Sequence, residues 1–147
     1  MQIIIINEKA EAKSKMRISG IERVYSGGAP KAIGPYSQAV IAGDLVFCSG
    51  QIPVEPETGK LVKGDIEEQT HRVIKNLRAV LEASGSSLDK ALKVTVYLSD
   101  LRDFDKMNKV YGRYFTGKPA RSTIQAAKLP KNSAIEMDVI AIKTSNG

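Results

Sequence analysis

The chain has 147 residues, of which 42% are hydrophobic and 26% are charged, so it has the size and composition of one globular domain with a single sizeable core. Lysine and arginine outnumber aspartate and glutamate by 22 to 16; this excess favours anionic partners, but the basic residues are scattered and do not single out nucleic acid. One cysteine and one histidine exclude an intrachain disulfide and a Cys/His zinc site, and no apolar stretch approaches the ~20 residues of a membrane span.

The first 20 residues are expected to form an N-terminal extension, and the folded domain is expected to cover residues 21–147. The isoleucine run at residues 3–6 is too short for a secretory signal and has no basic residue before it. Glu8 and Glu11 argue against a mitochondrial presequence. Residues 1–15 are expected to be an additional edge strand, a disordered tail or the product of a misassigned start, since a second methionine, Met16, precedes the predicted domain. Because no disulfide can form, we expect a cytoplasmic protein, with the mitochondrion as the alternative for a eukaryotic source.

The first half of the chain predicts three strands and a long helix. The third strand is apolar on both faces and is therefore expected to be central. Asp65, with Glu68 three residues later, predicts the capped start of an amphipathic helix, and Gly85 predicts its end. The three predicted strands cover residues 21–25, 37–41 and 45–49.

The second half predicts a strand over residues 92–98, a second helix capped by Asp103 and extending to Phe115, a strand after Pro119, and a last strand over residues 134–143. Strands interleaved with two helices indicate a single α+β domain, in which a mixed or antiparallel sheet carries both helices on one face. The other face of the sheet would then lie bare although it carries apolar residues. A second subunit is its simplest cover.

Arg121 opens the strand that follows Pro119. The proline fixes its own backbone and biases Lys118 towards an extended conformation, and small or apolar residues then alternate with Arg121, Thr123 and Gln125. A stiff element therefore presents a guanidinium group, whose planar fork suits a carboxylate or a phosphate. This pattern indicates a site for a small anion. The alternative is an arginine in a surface ion pair, which contributes little.

Glu136 and Asp138 share one face of the last strand with Ile140 and Ile142. A strand that is apolar on both faces is covered on both faces, so these acids are expected to be partly shielded from water. A shielded carboxylate needs a partner or takes up a proton. Arg121 or a lysine at a subunit interface is the candidate partner, and the alternative places both acids at an exposed end of the sheet.

Single side chains supply little further chemistry. We expect Cys48 to be a small buried hydrophobe and His71 to lie on the surface of the first helix. With the one histidine there, neither a Ser-His-Asp nor a Cys-His arrangement is available, and covalent acyl chemistry is not expected.

Four groups of residues form a specific combination over residues 21–143, and residues 1–20 lie outside it. The groups are Ala32-Ile33-Gly34-Pro35-Tyr36-Ser37-Gln38-Ala39; Ser49-Gly50-Gln51-Ile52-Pro53; Asn108 with Val110-Tyr111; and Pro119-Ala120-Arg121-Ser122 with Leu129-Pro130 and Ile135-Glu136-Met137. In the order and spacing of these groups, the sequence resembles the Rid/YjgF/YER057c family of reactive-intermediate deaminases, also known as the endoribonuclease L-PSP family, whose members hydrolyse enamines and imines.

The resemblance implies a chorismate-mutase-like, ferredoxin-related α+β fold, assembled as a homotrimer with active sites in the clefts between subunits. It implies that Arg121 forms a salt bridge with the carboxylate of a 2-imino acid, assisted by the backbone amide of Gly50. Glu136 or nearby backbone carbonyls would orient the attacking water. No metal or organic cofactor is implied. The pocket would further be lined by Tyr36, Ser49, Asn108 and Thr123.

Thr123 departs from the family pattern, which has a cysteine at this position. The family cysteine is thought to act mostly through its backbone carbonyl, which threonine retains. Activity is therefore expected to survive, whereas thiol-based reactivity is put in doubt.

The expected function is hydrolysis of 2-iminobutanoate or 2-iminopropanoate to the 2-oxo acid and ammonia, a deaminase activity of metabolite damage control. One alternative is an RNA-directed translation inhibitor or endoribonuclease; its surface would be the basic outer face of the second helix, which is otherwise a solvated face. The other alternative is a non-catalytic trimer that binds small carboxylates and regulates a partner. No membrane partner is expected. The basic face comprises Lys106, Lys109 and Arg113.

Overall fold

The computed structural model describes residues 20–145. The predicted N-terminal extension lies, apart from Gly20, outside the described residues. Within them, six strands and two α-helices follow one another along the chain. In chain order these are β1 (Ile21–Val24), β2 (Ala39–Ala42), β3 (Leu45–Gln51), α1 (Ile66–Ala83), β4 (Ala91–Leu98), α2 (Phe104–Tyr114), β5 (Ala120–Gln125) and β6 (Ile135–Ile142).

The six strands form one mixed sheet in the order β1-β2-β3-β6-β4-β5. All neighbouring pairs are antiparallel except β4 and β5, which are parallel and are connected through α2. Both helices pack on one face of this sheet and share a single core with it. The predicted α+β class is therefore confirmed, and β3 is an internal strand, as its apolar sequence predicted. Neither helix of residues 20–145 is long and apolar enough to cross a membrane.

The start of α1 follows the prediction. The Asp65 side chain accepts a hydrogen bond from the Glu68 N–H at 3.0 Å, which satisfies one of the free donors at the helix N-terminus. Gly85 follows the helix with a φ of 74°, a conformation that favours glycine. The buried side of the helix carries Val73 and Leu77 into the core.

The prediction that Asp103 caps α2 is wrong. Its side chain makes no capping hydrogen bond, because a short 3₁₀ turn, Leu101–Asp103, precedes the helix and already places Asp103 inside a turn. The side chain of Asp100 caps that turn instead, accepting from the Arg102 N–H at 2.9 Å.

The two faces of the sheet differ in cover. Towards the helices, side chains such as Val94, Val96 and Met137 are completely buried. On the other face, Phe47 and Ile124 keep 42% and 48% of their surface exposed. A row of apolar side chains is thus left open to solvent in the single chain, as the sequence predicted.

Cys48 is a buried thiol, as expected: burial, with a contribution from the charge of Asp138, raises its pKa to about 12. The expectation for His71 is only partly met. The ring is half-buried, because Tyr114 of α2 packs edge-on against it and the Tyr114 hydroxyl lies 2.8 Å from His71 Nδ1.

A buried glutamine holds the loop that leads into β2. Gln38 Oε1 accepts from the Ser26 N–H at 2.6 Å, and Gln38 Nε2 donates to the Pro30 carbonyl at 2.8 Å. Gln38 is 2% exposed; breaking these bonds would leave buried polar groups unpaired. The loop that carries Tyr36 is thereby tied at both ends.

Candidate functional site

Arg121 is the second residue of β5, where its backbone pairs with Val94 of β4. Its side chain therefore lies on the helix-covered face of the sheet, and Arg121 Nη1 donates to Asn108 Oδ1 of α2 at 2.7 Å. The chain enters β5 through Lys118, whose φ of 52° differs from the extended conformation predicted before Pro119. The reversal from α2 into β5 requires a turn here, in which the Lys118 N–H donates to the Phe115 carbonyl.

Neutral groups alone hold the guanidinium group of Arg121 in the described part of the chain. Its Cζ lies 4.6 Å from the centre of the Tyr111 ring and 5.5 Å from that of Phe104. The ion pairs within residues 20–145 are formed by other side chains, at Asp100 and at Glu67. The surface ion pair considered as an alternative for Arg121 is therefore not formed with any described carboxylate.

An open cleft of about 620 Å³ lies beside this arginine. Arg121 and Lys118 give the cleft positive charge, and the ring of Phe115 forms part of its apolar wall. A cation held by neutral partners at a cleft can accept a small carboxylate without first releasing an acid of the protein. The geometry therefore supports anion binding at this position.

A second group of the predicted site residues lies at β3 and β6, the two central strands of the sheet. The register of β3 against β6 shifts between Cys48 and Gln51, so the strand is irregular at Gly50. A Cβ atom placed on Gly50 would lie 3.0 Å from Glu136 Cδ and would overlap Glu136 Oε1. Only glycine lets this carboxylate lie against the β3 backbone.

Ser49 and Tyr36 complete this second group. The Ser49 hydroxyl donates to the Ser37 carbonyl at 2.6 Å, which connects β3 to the loop carrying Tyr36. Tyr36 is 51% exposed and lines, together with Gly50, a cavity of about 280 Å³. Side chains of Ile33 and Ile52 make part of its wall apolar.

The acids of β6 lie on the open face of the sheet. Glu136 is half-buried, and burial together with the charge of Asp138 raises its pKa. Asp138 accepts a hydrogen bond from the Tyr97 hydroxyl at 3.0 Å. The prediction that Arg121 pairs with these acids is wrong within one chain, because successive side chains of a strand alternate between faces and Arg121 lies on the opposite one.

The predicted site residues thus fall into two halves that do not meet in one chain. The β3 and β5 strands are separated by β6 and β4, which amounts to about 14 Å at ordinary strand spacing. The halves also lie on opposite faces, so one small ligand cannot contact both. The first half contains Arg121, Asn108 and Thr123, and the second contains Tyr36, Ser49, Gly50 and Glu136.

Sequence reasoning assigned no role at the site to the two aromatic rings beside Arg121. Tyr111 was named only within the pattern that carries the family resemblance, and Phe104 was not singled out. The signal for them was present: Phe104, Asn108 and Tyr111 are spaced i, i+4 and i+7, which places them on one side of a helix. What the sequence lacked was the position of β5 beside that side of α2.

The fold is that of a small α+β protein in which the predicted site residues lie in two separate groups within one chain. Residues 26–143 match the family described as Endoribonuclease L-PSP, and the chain belongs to that family. The resemblance to Rid/YjgF proteins is thereby confirmed.

Individual relatives agree with this assignment. A RutC family protein of Pyrococcus abyssi is 56% identical over 83% of this chain and 97% of its own. The human protein named 2-iminobutanoate/2-iminopropanoate deaminase is 43% identical over 84% of this chain and 91% of its own. The crystal structure of a Thermotoga maritima protein described as a putative endoribonuclease matches with a TM-score of 0.82 at 53% identity, covering 84% of this chain and 98% of that one.

The proximity of Glu136 and Asp138 on β6 predicts how the pKa of Glu136 responds to a substitution. Replacing Asp138 with asparagine removes a negative charge beside Glu136, while the new side chain can still accept from Tyr97. We expect the pKa of Glu136 to fall in Asp138→Asn but to stay above the ordinary range, because burial is the larger cause. Carbon-detected NMR of ¹³C-labelled glutamate side chains, with the signal assigned by Glu136→Gln, measures this directly.

The exposed Asp105 of α2 supplies the matched control, since Asp105→Asn should leave the Glu136 titration unchanged. The sign for stability also follows. The folded chain holds this proton more tightly than the unfolded chain, so ionisation of Glu136 lowers the free energy of unfolding as pH rises between the two pKa values. A Glu136 titration that is identical with and without Asp138 would contradict the electrostatic coupling.

Proposed function

We propose that this protein is a 2-iminobutanoate/2-iminopropanoate deaminase, which hydrolyses reactive 2-imino acids to 2-oxo acids and ammonia. The observation that carries the proposal is the guanidinium group of Arg121, fixed at a cleft by neutral partners. Family membership and the printed name of the human relative support the same reaction.

The active site of this proposal forms between two copies of the chain. One copy brings the half around Arg121, and the next brings the half around Glu136 and Gly50. Such a contact joins two different surfaces, so repeating it generates a ring if the rotation closes. We infer a homotrimer with three such sites. Its contacts would also cover the open face of the sheet, where Phe47 and Ile124 are exposed.

Arg121 binds the substrate carboxylate with two parallel N–H donors, and the backbone N–H of Gly50 adds a third. The C=N carbon is thereby held at a fixed distance from Glu136 of the adjacent copy. Positioning of this kind replaces a bimolecular encounter with a prearranged one. Because imines already hydrolyse in water, this acceleration does not require a metal ion or a covalent intermediate.

Proton transfer completes the reaction. Glu136, in its ionised form, takes a proton from the attacking water as the oxygen bonds to the imine carbon. The Tyr36 hydroxyl gives the imine nitrogen one proton, and Glu136 passes to it the proton taken from the water. The C–N bond then breaks with its electron pair on nitrogen, and the remaining O–H proton returns to Tyr36, so that ammonia and the 2-oxo acid leave and both side chains are restored. Asn108 acts through the arginine: its Oδ1 accepts a hydrogen bond from Arg121 Nη1 and so fixes the guanidinium group. Thr123 contributes only its backbone carbonyl. The one thiol of the chain, Cys48, is buried and protonated, so it takes no part in this reaction.

The first test replaces the arginine. Threonine dehydratase supplies 2-iminobutanoate, semicarbazide competes for it, and release of 2-oxobutanoate is followed. We expect Arg121→Ala to lower kcat/KM by about 30-fold or more, because losing one partner of a hydrogen-bonded charge pair costs roughly 2–5 kcal/mol. Arg121→Lys should retain an intermediate rate, since an ammonium group lacks the planar fork.

Arg113→Ala is the matched control, because Arg113 is an exposed arginine on the outer side of α2. Other outcomes identify other functions. RNA binding that weakens with salt and ignores Arg121 would support an RNA-directed role on the basic side of α2. Affinity for 2-oxobutanoate without turnover would indicate a binding protein. Equal acceleration by the parent chain and Arg121→Ala would contradict the proposed site.

The second test concerns Gly50. A methyl group there must displace the Glu136 carboxylate, so we expect Gly50→Ala to lower kcat/KM by about tenfold or more, since general-base catalysis contributes 10²–10⁴-fold. The free energy of unfolding should change little, because only the end of a flexible side chain has to move.

A double-mutant cycle separates this mechanism from general damage. If Gly50 acts through Glu136, adding Gly50→Ala to Glu136→Ala should cause little further loss. Fully additive losses in the double variant would show instead that the glycine acts independently of the glutamate.

A further inference from the structure

The guanidinium group of Arg121 lies against two aromatic rings as well as a hydrogen-bond acceptor. Tyr111 and Phe104 lie 4.6 and 5.5 Å from Arg121 Cζ, and Asn108 accepts at 2.7 Å. All three come from one side of α2, at spacings i, i+4 and i+7. A single helix therefore fixes both the position and the plane of an arginine that belongs to the edge strand β5.

We propose that Tyr111 and Phe104 are positioning residues, which hold the Arg121 guanidinium in the orientation that receives the substrate carboxylate. This inference rests on the proposed function of the arginine. An arginine side chain has many rotamers, and fixing one of them before the ligand arrives lowers the entropy lost on binding. The rings contribute through their faces, which attract a cation.

Aromatic rings suit this task better than an acid would. A carboxylate beside Arg121 would also fix the side chain, but it would occupy the donors that the ligand needs. A ring face attracts the same charge without accepting the in-plane N–H bonds. The fork therefore keeps free donors while its plane is held.

The ring of Tyr111, rather than its hydroxyl group, is the part that acts. Tyr111 is 7% exposed and its ring stacks on Phe115 with centres 4.5 Å apart and planes 27° from parallel. Its hydroxyl oxygen is buried and makes no hydrogen bond within residues 20–145. Removing that hydroxyl should therefore be tolerated, whereas removing the ring should release the guanidinium.

The experiment measures KM, kcat and competitive inhibition by 2-oxobutanoate for ring-deleting and ring-keeping variants. We expect Tyr111→Leu to raise KM and the inhibition constant by about 5- to 30-fold, the range from an exposed to a desolvated cation–π contact, with a smaller change in kcat. Tyr111→Phe should remain within about twofold of the parent because it keeps the ring. Phe104→Leu should show a weaker form of the Tyr111→Leu effect, since its ring lies farther away.

Tyr114→Leu is the matched control. Tyr114 lies on the same helix and also faces an arginine, with Arg78 Cζ 5.2 Å from its ring centre, but it lies outside the cleft of Arg121. Its loss should leave the inhibition constant unchanged. If Tyr111→Leu does not fold, Phe104→Leu, at a half-buried position, carries the test alone.

The outcomes separate this inference from the proposed function. An inhibition constant that is unchanged in folded Tyr111→Leu, or in Phe104→Leu where that variant stands alone, overturns the positioning role while leaving the deaminase proposal intact. Equal losses in Tyr111→Phe and Tyr111→Leu also overturn it, because they assign the effect to the hydroxyl. A parent protein that neither hydrolyses imines nor binds 2-oxobutanoate overturns both.

Discussion

The alternation of side chains across a β-sheet is the constraint on which the rest depends. Arg121 of β5 points towards the helices, while Glu136 of β6 points away from them. No rotamer change can bring the two groups together through a packed sheet. A small molecule that needs both a cation and a carboxylate must therefore be held by two chains. Oligomerisation would then be part of the chemistry, in addition to covering an apolar surface.

In each half of the site, neutral side chains or backbone groups fix the position of the charged side chain. Asn108 and two aromatic rings hold the cation, and the bare backbone of Gly50 receives the carboxylate of Glu136. Neither charge is neutralised by a salt bridge within the described residues. Burial, with a contribution from the charge of Asp138, raises the pKa of Glu136. Charges left without a partner in one chain are well suited to a substrate and a neighbouring subunit.

Much of this could be read from the sequence, because the signals were local. The capped start of α1 at Asp65 and the alternation in β6 depend on neighbouring residues, and both appear in the structure. The failures have non-local causes. Asp103 does not cap α2 because a 3₁₀ turn precedes the helix. The predicted pairing of Arg121 with Glu136 is wrong because sequence alone does not determine towards which face of the sheet each side chain points. The ring of Tyr111 was missed for the same reason, since its partner lies on another element.

The most direct measurement of the central claim is activity after subunit mixing. Arg121→Ala and Glu136→Ala chains, each impaired alone, are unfolded together at equal concentration, refolded, and assayed for imine hydrolysis. If each site takes its arginine from one chain and its glutamate from the next, random assortment gives about one quarter of the sites both groups, and activity should recover to about that fraction of the parent. A mixture no more active than its two components would contradict a shared site.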